Sequence, residues 1–373
     1  MLGWAVFADV VPLYSLYALL FADSGLSAAK ISVLFMIWSA TGFLAEVPSG
    51  ALADRFSRRG ALVVAGVGQA AGYAVWVLVP SFTGFAAGFV LWGLGGALVT
   101  GALEALLYDG MVAADAAEHY PRVYGWVEAL RLLAQVPAAV AATVLFGLGG
   151  YDLVGWASVA CCLVAAALAA RLPEAPGSAG PAEDEPAGYL ATLRAGVLEA
   201  AGNPAVRAVL VAAAVLAAVD GIEEYFTLLA ADWGVPPELV PVAVLGIPLA
   251  GAAGATFGGP AARLHPVALG VVLGVAATVF GGTGLLRHPA GLAGVAVFYG
   301  LYRMVLVVVD ARLQQRIEGP ARATVTSVAG LGTEVTNLLL FAAWAVGQVM
   351  LVAALMVLLA TVLPRWLAGP RRR

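Results

Sequence analysis

The chain has 373 residues, 62% of them hydrophobic and 11% charged, with a net charge of −4 at pH 7 and a mean hydropathy of +0.94. A soluble domain carries about a quarter of its residues as charges, so one large soluble fold, a nucleic-acid binder and a disordered chain are all excluded. What remains is an integral membrane protein, since a bilayer core takes about 20 apolar residues per helix and twelve crossings use roughly 240.

The chain enters apolar sequence within its first residues and no small-residue cleavage site follows, so the first run reads as a span and not a removable leader. Six spans are expected at about 2–22, 29–53, 60–80, 83–108, 122–147 and 151–171. After the second comes the loop Gly50-Ala51-Leu52-Ala53-Asp54-Arg55-Phe56-Ser57-Arg58-Arg59. Its arginines suit a cytoplasmic surface, but Asp54 has no part in that preference. A carboxylate there suits the positive end of a helix such as span 11, while Arg58 and Arg59 are within reach of Asp109 at the inner end of span 4. Cys161 and Cys162 are neighbours in an apolar run, which suits packing better than redox chemistry. His119, His265 and His288 fall at or beyond the ends of apolar runs, so no metal set and no cofactor is expected.

Between the halves, Pro173, Pro176, Gly177 and Gly180 precede the acidic run Glu183-Asp184-Glu185, and Tyr189–Ala200 suits an amphipathic surface helix. The expected organisation is all-α: a six-helix bundle over 1–171, a cytoplasmic linker over 172–203 and a second six-helix bundle over 204–373. The later spans are expected at about 204–231, 238–261, 265–286, 290–312, 322–343 and 347–365, with Gly347 and its neighbours turning the last pair. The halves echo each other: Leu19-Leu20-x-Ala22-Asp23-x-Gly25 recurs as Leu228-Leu229-x-Ala231-Asp232-x-Gly234. Glu104-Ala105 then aligns with Asp310-Ala311, and Arg122 with Arg322. This order argues for two pseudo-symmetric halves, 6+6. With both ends cytoplasmic, 15 of the 19 basic residues fall inside and only Lys30 and Arg287 outside, with Arg131 and Arg303 within spans.

The Gly50–Arg59 loop resembles the signature loop of the major facilitator superfamily: a glycine, an aspartate four residues on, then a basic cluster, with Ser57 where glycine is usual. The runs Gly101–Asp109 and Arg322-Ala323-Thr324 resemble bacterial exporter-like, drug/proton-antiporter members. That resemblance implies a twelve-helix transporter working by alternating access, with spans 1, 4, 7 and 10 lining the path. It further implies a cytoplasmic gate of Gly50, Asp54, Arg55, Arg58, Arg59 and Asp109, to which Asp310 is added by position. Two family signatures are missing. The outer half of span 4 carries glycines at Gly93, Gly95 and Gly96 but no arginine, and Pro137 in span 5 has no preceding glycine.

An ionisable residue at the centre of a span costs at least about 2.5–3.5 kcal/mol, so each asks for a reason. Asp9, Glu46, Glu128 and Arg131 lie roughly 9–14 Å from the inner surface, Arg303 and Glu334 near the midplane, and Glu104 in the inner third of span 4. Asp220, Glu223, Glu224 and Thr227 follow helical spacing and are expected as one polar stripe. Carboxylates that close repel one another when ionised, which marks a proton carrier. Tyr124, Glu128, Arg131 and Gln135 form a second stripe, in which Glu128 and Arg131 can neutralise each other. Proton-coupling candidates are therefore Asp9, Asp220, Glu334, Glu104 and Glu128. Arg303 is a natural partner for Asp9 or Asp220, or for an anionic substrate group. Tyr14, Tyr17, Tyr299, Tyr302, Glu223, Glu224, Arg303 and Arg131 are candidates for the walls of a substrate cavity, alongside Tyr225 and Phe226.

No glycine-rich phosphate loop is present, so energy is expected from an ion or substrate gradient. The expectation is a secondary transporter of a cell membrane, exporting an organic cation or amphipathic compound against protons, with sodium as an alternative ion. Its partners are a small molecule and the lipid bilayer, with no nucleic acid, and its working unit is a monomer. Uptake of a polar nutrient is the alternative within the class, and a non-transporting receptor or scaffold the alternative outside it. An enzyme is not expected, because no histidine lies in the interior of a span to serve a nucleophile or metal.

Overall fold

The computed structural model describes residues 2–55, 57–173, 204–316 and 322–368. The surface helix expected over Tyr189–Ala200 lies outside them. The chain divides into two compact units, Met1–Glu185 with Pro237–Val242, and Pro186–Pro236 with Ala243–Arg373. In chain order the first half holds α1 (Leu2–Asp9), a 3₁₀ turn (Pro12–Ser15), α2 (Tyr17–Asp23), α3 (Ala28–Arg55), α4 (Arg58–Leu78), α5 (Phe82–Ala113) and α6 (Tyr120–Ala169). The second holds α7 (Pro204–Ala218), a 3₁₀ segment (Val219–Tyr225), α8 (Phe226–Asp232) and the short pieces α9 (Val240–Val244), α10 (Gly246–Thr256) and α11 (Gly258–Ala261). It ends with α12 (Pro266–Leu286), α13 (Gly291–Arg316) and α14 (Arg322–Ala368). Eight helices among the described residues are long and apolar enough to cross a membrane. The protein is a multi-pass membrane protein.

Three expected spans are not single helices. The first stops at Asp9, because Pro12 has no N–H to continue the ladder and Val11 is extended. The freed N–H of Leu13 donates to Ser158 Oγ of α6 at 2.9 Å, and that hydroxyl donates to Val154 O at 2.8 Å. The seventh passes through the 3₁₀ segment between α7 and α8. Gly221 lets that segment press on α14, since a Cβ there would overlap the Asn337 side chain. The eighth comes in three pieces, where Pro241, Pro248 and Pro260 each remove a backbone donor.

The repeated Leu-Leu-x-Ala-Asp-x-Gly motif has one structure in both places. α2 and α8 are each seven residues long and end on aspartate. Gly25 and Gly234 then take left-handed φ of 83° and 90°. Matching bonds close both ends, Leu26 N to Phe21 O at 3.2 Å and Val235 N to Ala230 O at 3.0 Å. The packing pattern repeats as well. α1 lies on α6, α3 on α5, and α4 on both α5 and α6; likewise α7 lies on α14, α10 on α13, and α12 on both α13 and α14.

A second repeat, invisible as sequence identity, lies in the last hairpins. α6 has 50 residues and α14 has 47, more than twice the about 20 that a bilayer core takes. α6 breaks at Gly149 and Gly150, with Gly150 at φ 60°, ψ −155°. α14 breaks at Gln348, with φ 46°, ψ −140°. The reversal expected at Gly347 and its neighbours thus falls on Gln348, a side chain in a region that glycine alone enters freely. Gly347 contributes space: a Cβ there would strike Leu351, as one on Gly149 would strike Leu153. Relief of this strain predicts that Gln348→Gly raises the melting midpoint in detergent, by the equivalent of about 1–3 kcal/mol, while Gly150→Gln lowers it. An unchanged midpoint in both would show that neither reversal is strained.

Candidate functional site

In the first unit, the break in the first helix leaves Asp9 at the end of α1, half-buried and facing α6. Arg131 of α6 donates Nε–H to Asp9 Oδ2 at 2.7 Å. Both line a cavity of about 270 Å³ whose walls include Trp4, Gln69, Trp92, Thr100, Glu104 and Tyr124. The Tyr124 hydroxyl donates to Glu104 Oε1 at 2.9 Å. The cavity thus gathers two carboxylates and one guanidinium among aromatic walls. Gln69 and Trp92 were absent from the sequence candidates, although Gln69 is the one amide side chain in α4 and that oddity is a usable signal. The Glu128 side chain lies outside the described residues.

Two expected wall residues belong elsewhere. Tyr17 is buried in an aromatic core, 5.6 Å from Trp76 and 5.8 Å from Phe89 between ring centroids. Tyr14 stacks on Trp92, a cavity-lining ring, with centroids 6.0 Å apart.

At the other end of α5, Arg58 pairs with Asp109. Arg59 Nη1 donates to Leu172 O at 3.5 Å. The expected loop is mostly helix, since α3 runs through Gly50, Asp54 and Arg55 and α4 begins at Arg58. The side chains of Asp54 and Arg55 lie outside the described residues. Ser57, where the resembling family prefers glycine, is the N-cap of α4, its Oγ accepting from Gly60 N at 2.8 Å.

The second unit has its own cluster. Arg303 of α13 pairs with Asp220, and the Tyr299 hydroxyl lies 3.0 Å from Asp220 Oδ1 and 3.3 Å from Glu223 Oε2. One hydroxyl proton cannot serve two carboxylates at once, so this cluster has a place for one further proton. Tyr302 is fully buried and donates to Leu216 O at 2.6 Å, which ties α13 to α7 and removes it from any cavity wall. Glu224 leaves the expected stripe. It is 7% exposed and makes no hydrogen bond or ion pair among the described residues. The cause is the 3₁₀ backbone, which places Glu223 under Asp220 and turns Glu224 away. Glu334 is half-buried on α14 with a partner of its own, and Asp310 is exposed on α13. No group of metal-binding side chains occurs among the described residues.

No protein-family model matches the chain, and neither does any curated protein. Solved structures do match. The nucleoside transporter NupG aligns with a TM-score of 0.77 and 13% identity over 99% of this chain and 98% of its own. The POT family transporter PepTSo aligns at 0.73 and 14% identity, over 98% and 97% of the two chains. A bacterial homolog of the human lysosomal transporter Spinster, in an inward-facing and occupied conformation, aligns at 0.70 and 17% identity, over 98% and 89%. The chain shares its fold with these transporters.

Because Asp9 and Arg131 are both partly buried and face each other, their substitutions are expected to be non-additive. Asp9→Asn and Arg131→Met should each lower the melting midpoint, and the double variant should recover a coupling of about 0.5–3 kcal/mol. Strict additivity would mean that the pair contributes nothing to holding the broken helix.

Proposed function

We propose that the protein is a secondary transporter of twelve spans in two six-helix halves, both ends cytoplasmic, exporting a small aromatic organic cation in exchange for protons. The observation that carries this is the composition of the first-unit cavity, Asp9 and Glu104 against Arg131, with Trp4, Trp92 and Tyr124 around them. With all three charged groups among the described lining residues ionised, those residues carry one negative charge in excess, and aromatic faces favour a cation further. The inside-negative potential of a cell draws cations inward, so moving one out needs a second gradient. Protons are the natural choice, since Asp220, Glu223, Arg303 and Tyr299 offer a proton-accepting cluster. The Arg58–Asp109 pair, with Gly50, Asp54, Arg55 and Arg59, is the cytoplasmic gate in this reading, joined by Asp310.

The probe 1-methyl-4-phenylpyridinium tests the site directly. It should quench tryptophan fluorescence of the purified protein, and its uncharged relative 4-phenylpyridine should bind at least about tenfold more weakly, a difference of ~1.4 kcal/mol. Glu104→Gln should erase that preference for charge while leaving the melting midpoint nearly unchanged. Equal binding of the two compounds would remove the organic-cation reading and favour uptake of a polar, uncharged nutrient through Gln69 and Thr100.

A further inference from the structure

The 3₁₀ segment between α7 and α8 is seven residues long, Val219–Tyr225, whereas such runs seldom exceed about 3–4 residues. It carries three carboxylates in two different settings. Asp220 and Glu223 share Tyr299, and Asp220 also pairs with Arg303. Glu224 is buried without a partner among the described residues. Across the segment, Asn337 Oδ1 of α14 is also buried with no hydrogen-bond donor, over Gly221. Glu224 follows Gly221 by three residues and therefore lies on the same edge of the 3₁₀ helix. Beside it Tyr225 stacks on Trp344 of α14, with ring centroids 4.1 Å apart. An ionised carboxylate on a side chain only 7% exposed, with no donor among the described residues, is unfavourable, and the neutral acid is the form that suits the place.

The other ionisable groups on the packed helices are occupied or distant. From α13, Tyr299 and Arg303 hold Asp220 and Glu223, and Tyr302 holds Leu216 O. From α14, Glu334 has a partner of its own. Arg207 of α7 and Asp232 of α8 sit at the far ends of their helices.

A 3₁₀ helix turns about 120° per residue and an α-helix about 100°. In the 3₁₀ form Glu223 therefore eclipses Asp220, and Glu224 stands about 120° away from both. In an α-helix Glu224 would stand about 40° from Asp220, on the face that meets Arg303 and Tyr299. We infer that Val219–Tyr225 is a helical-form switch: as a 3₁₀ helix it keeps Glu224 as a neutral acid against α14, and as an α-helix it delivers that acid to the Asp220–Glu223 cluster. There the Glu224 O–H bond breaks, the proton passes to the Asp220 or Glu223 carboxylate, and Glu224 becomes the carboxylate facing Arg303. The seven residues shorten by about 3.5 Å in the conversion, which draws α8 toward α7. The switch rests on the proton-coupled reading above, and it assigns the carried proton to Glu224 in place of Asp220.

Two measurements test it. Infrared difference spectra of the purified protein at neutral pH, wild type minus Glu224→Gln, should contain a carboxylic-acid C=O band, whereas wild type minus Asp220→Asn should contain carboxylate bands. Carboxylate bands in the Glu224→Gln difference would overturn the assignment whatever the protein transports. Second, Gly221→Cys with Asn337→Cys, in a chain carrying Cys161→Ala and Cys162→Ala, should form a disulfide that pins the segment on α14. Transport of 1-methyl-4-phenylpyridinium in proteoliposomes should then be lost on oxidation and return on reduction. Transport at the same rate in both states would overturn the switch. No transport in the reduced protein would count against the transport reading instead, leaving the infrared band to decide Glu224.

Discussion

A charged side chain at the centre of a bilayer costs at least about 2.5–3.5 kcal/mol, and each unmet backbone group there costs several more. The chain accepts both costs in the first helix of each half and offsets them locally. Where α1 ends early, Asp9 meets Arg131 and the freed Leu13 N–H meets Ser158. Where α7 gives way to the 3₁₀ segment, Asp220 meets Arg303 and the Leu216 carbonyl meets Tyr302. Irregular backbone and buried charge come together in both units, and in both the partner comes from a long helix packed alongside.

That coincidence links fold to function. A helix interrupted at a charged residue can re-form its turn when the charge changes partner, which an unbroken, apolar helix has no cause to do. The alanine and glycine that dominate elsewhere give close, regular packing. The first-unit cavity opens directly onto one of the two interruptions, through Asp9 and Arg131.

Much of this was legible in the sequence, because charge placement and motif repetition are one-dimensional signals. Asp23-x-Gly25 and Asp232-x-Gly234 marked equivalent helix ends, and both glycines take the left-handed conformation that makes the repeat structural. Arg303 had Asp220 as a candidate partner, and Arg58 had Asp109. What escaped depends on backbone form. Periodicity cannot distinguish 120° from 100° per residue over a few positions, so Asp220, Glu223 and Glu224 read as one stripe when the 3₁₀ backbone splits them. The roles of Tyr17 and Tyr302 escaped because a tyrosine's surroundings are set by other helices, and both proved to be core. The last reversal fell where Gly347 and its neighbours were expected to turn, but nothing about a glutamine announces that Gln348 takes the left-handed conformation.

The central claim is that a cation and a proton move through this protein in opposite directions. The most direct measurement places a pH-sensitive dye inside proteoliposomes with no imposed pH gradient, then adds 1-methyl-4-phenylpyridinium on one side. Coupled exchange predicts that the probe's movement in one direction drives protons in the other, with the lumenal pH change reversing sign when the probe gradient is reversed. Probe equilibration with no lumenal pH change would contradict coupling and leave the protein a facilitator.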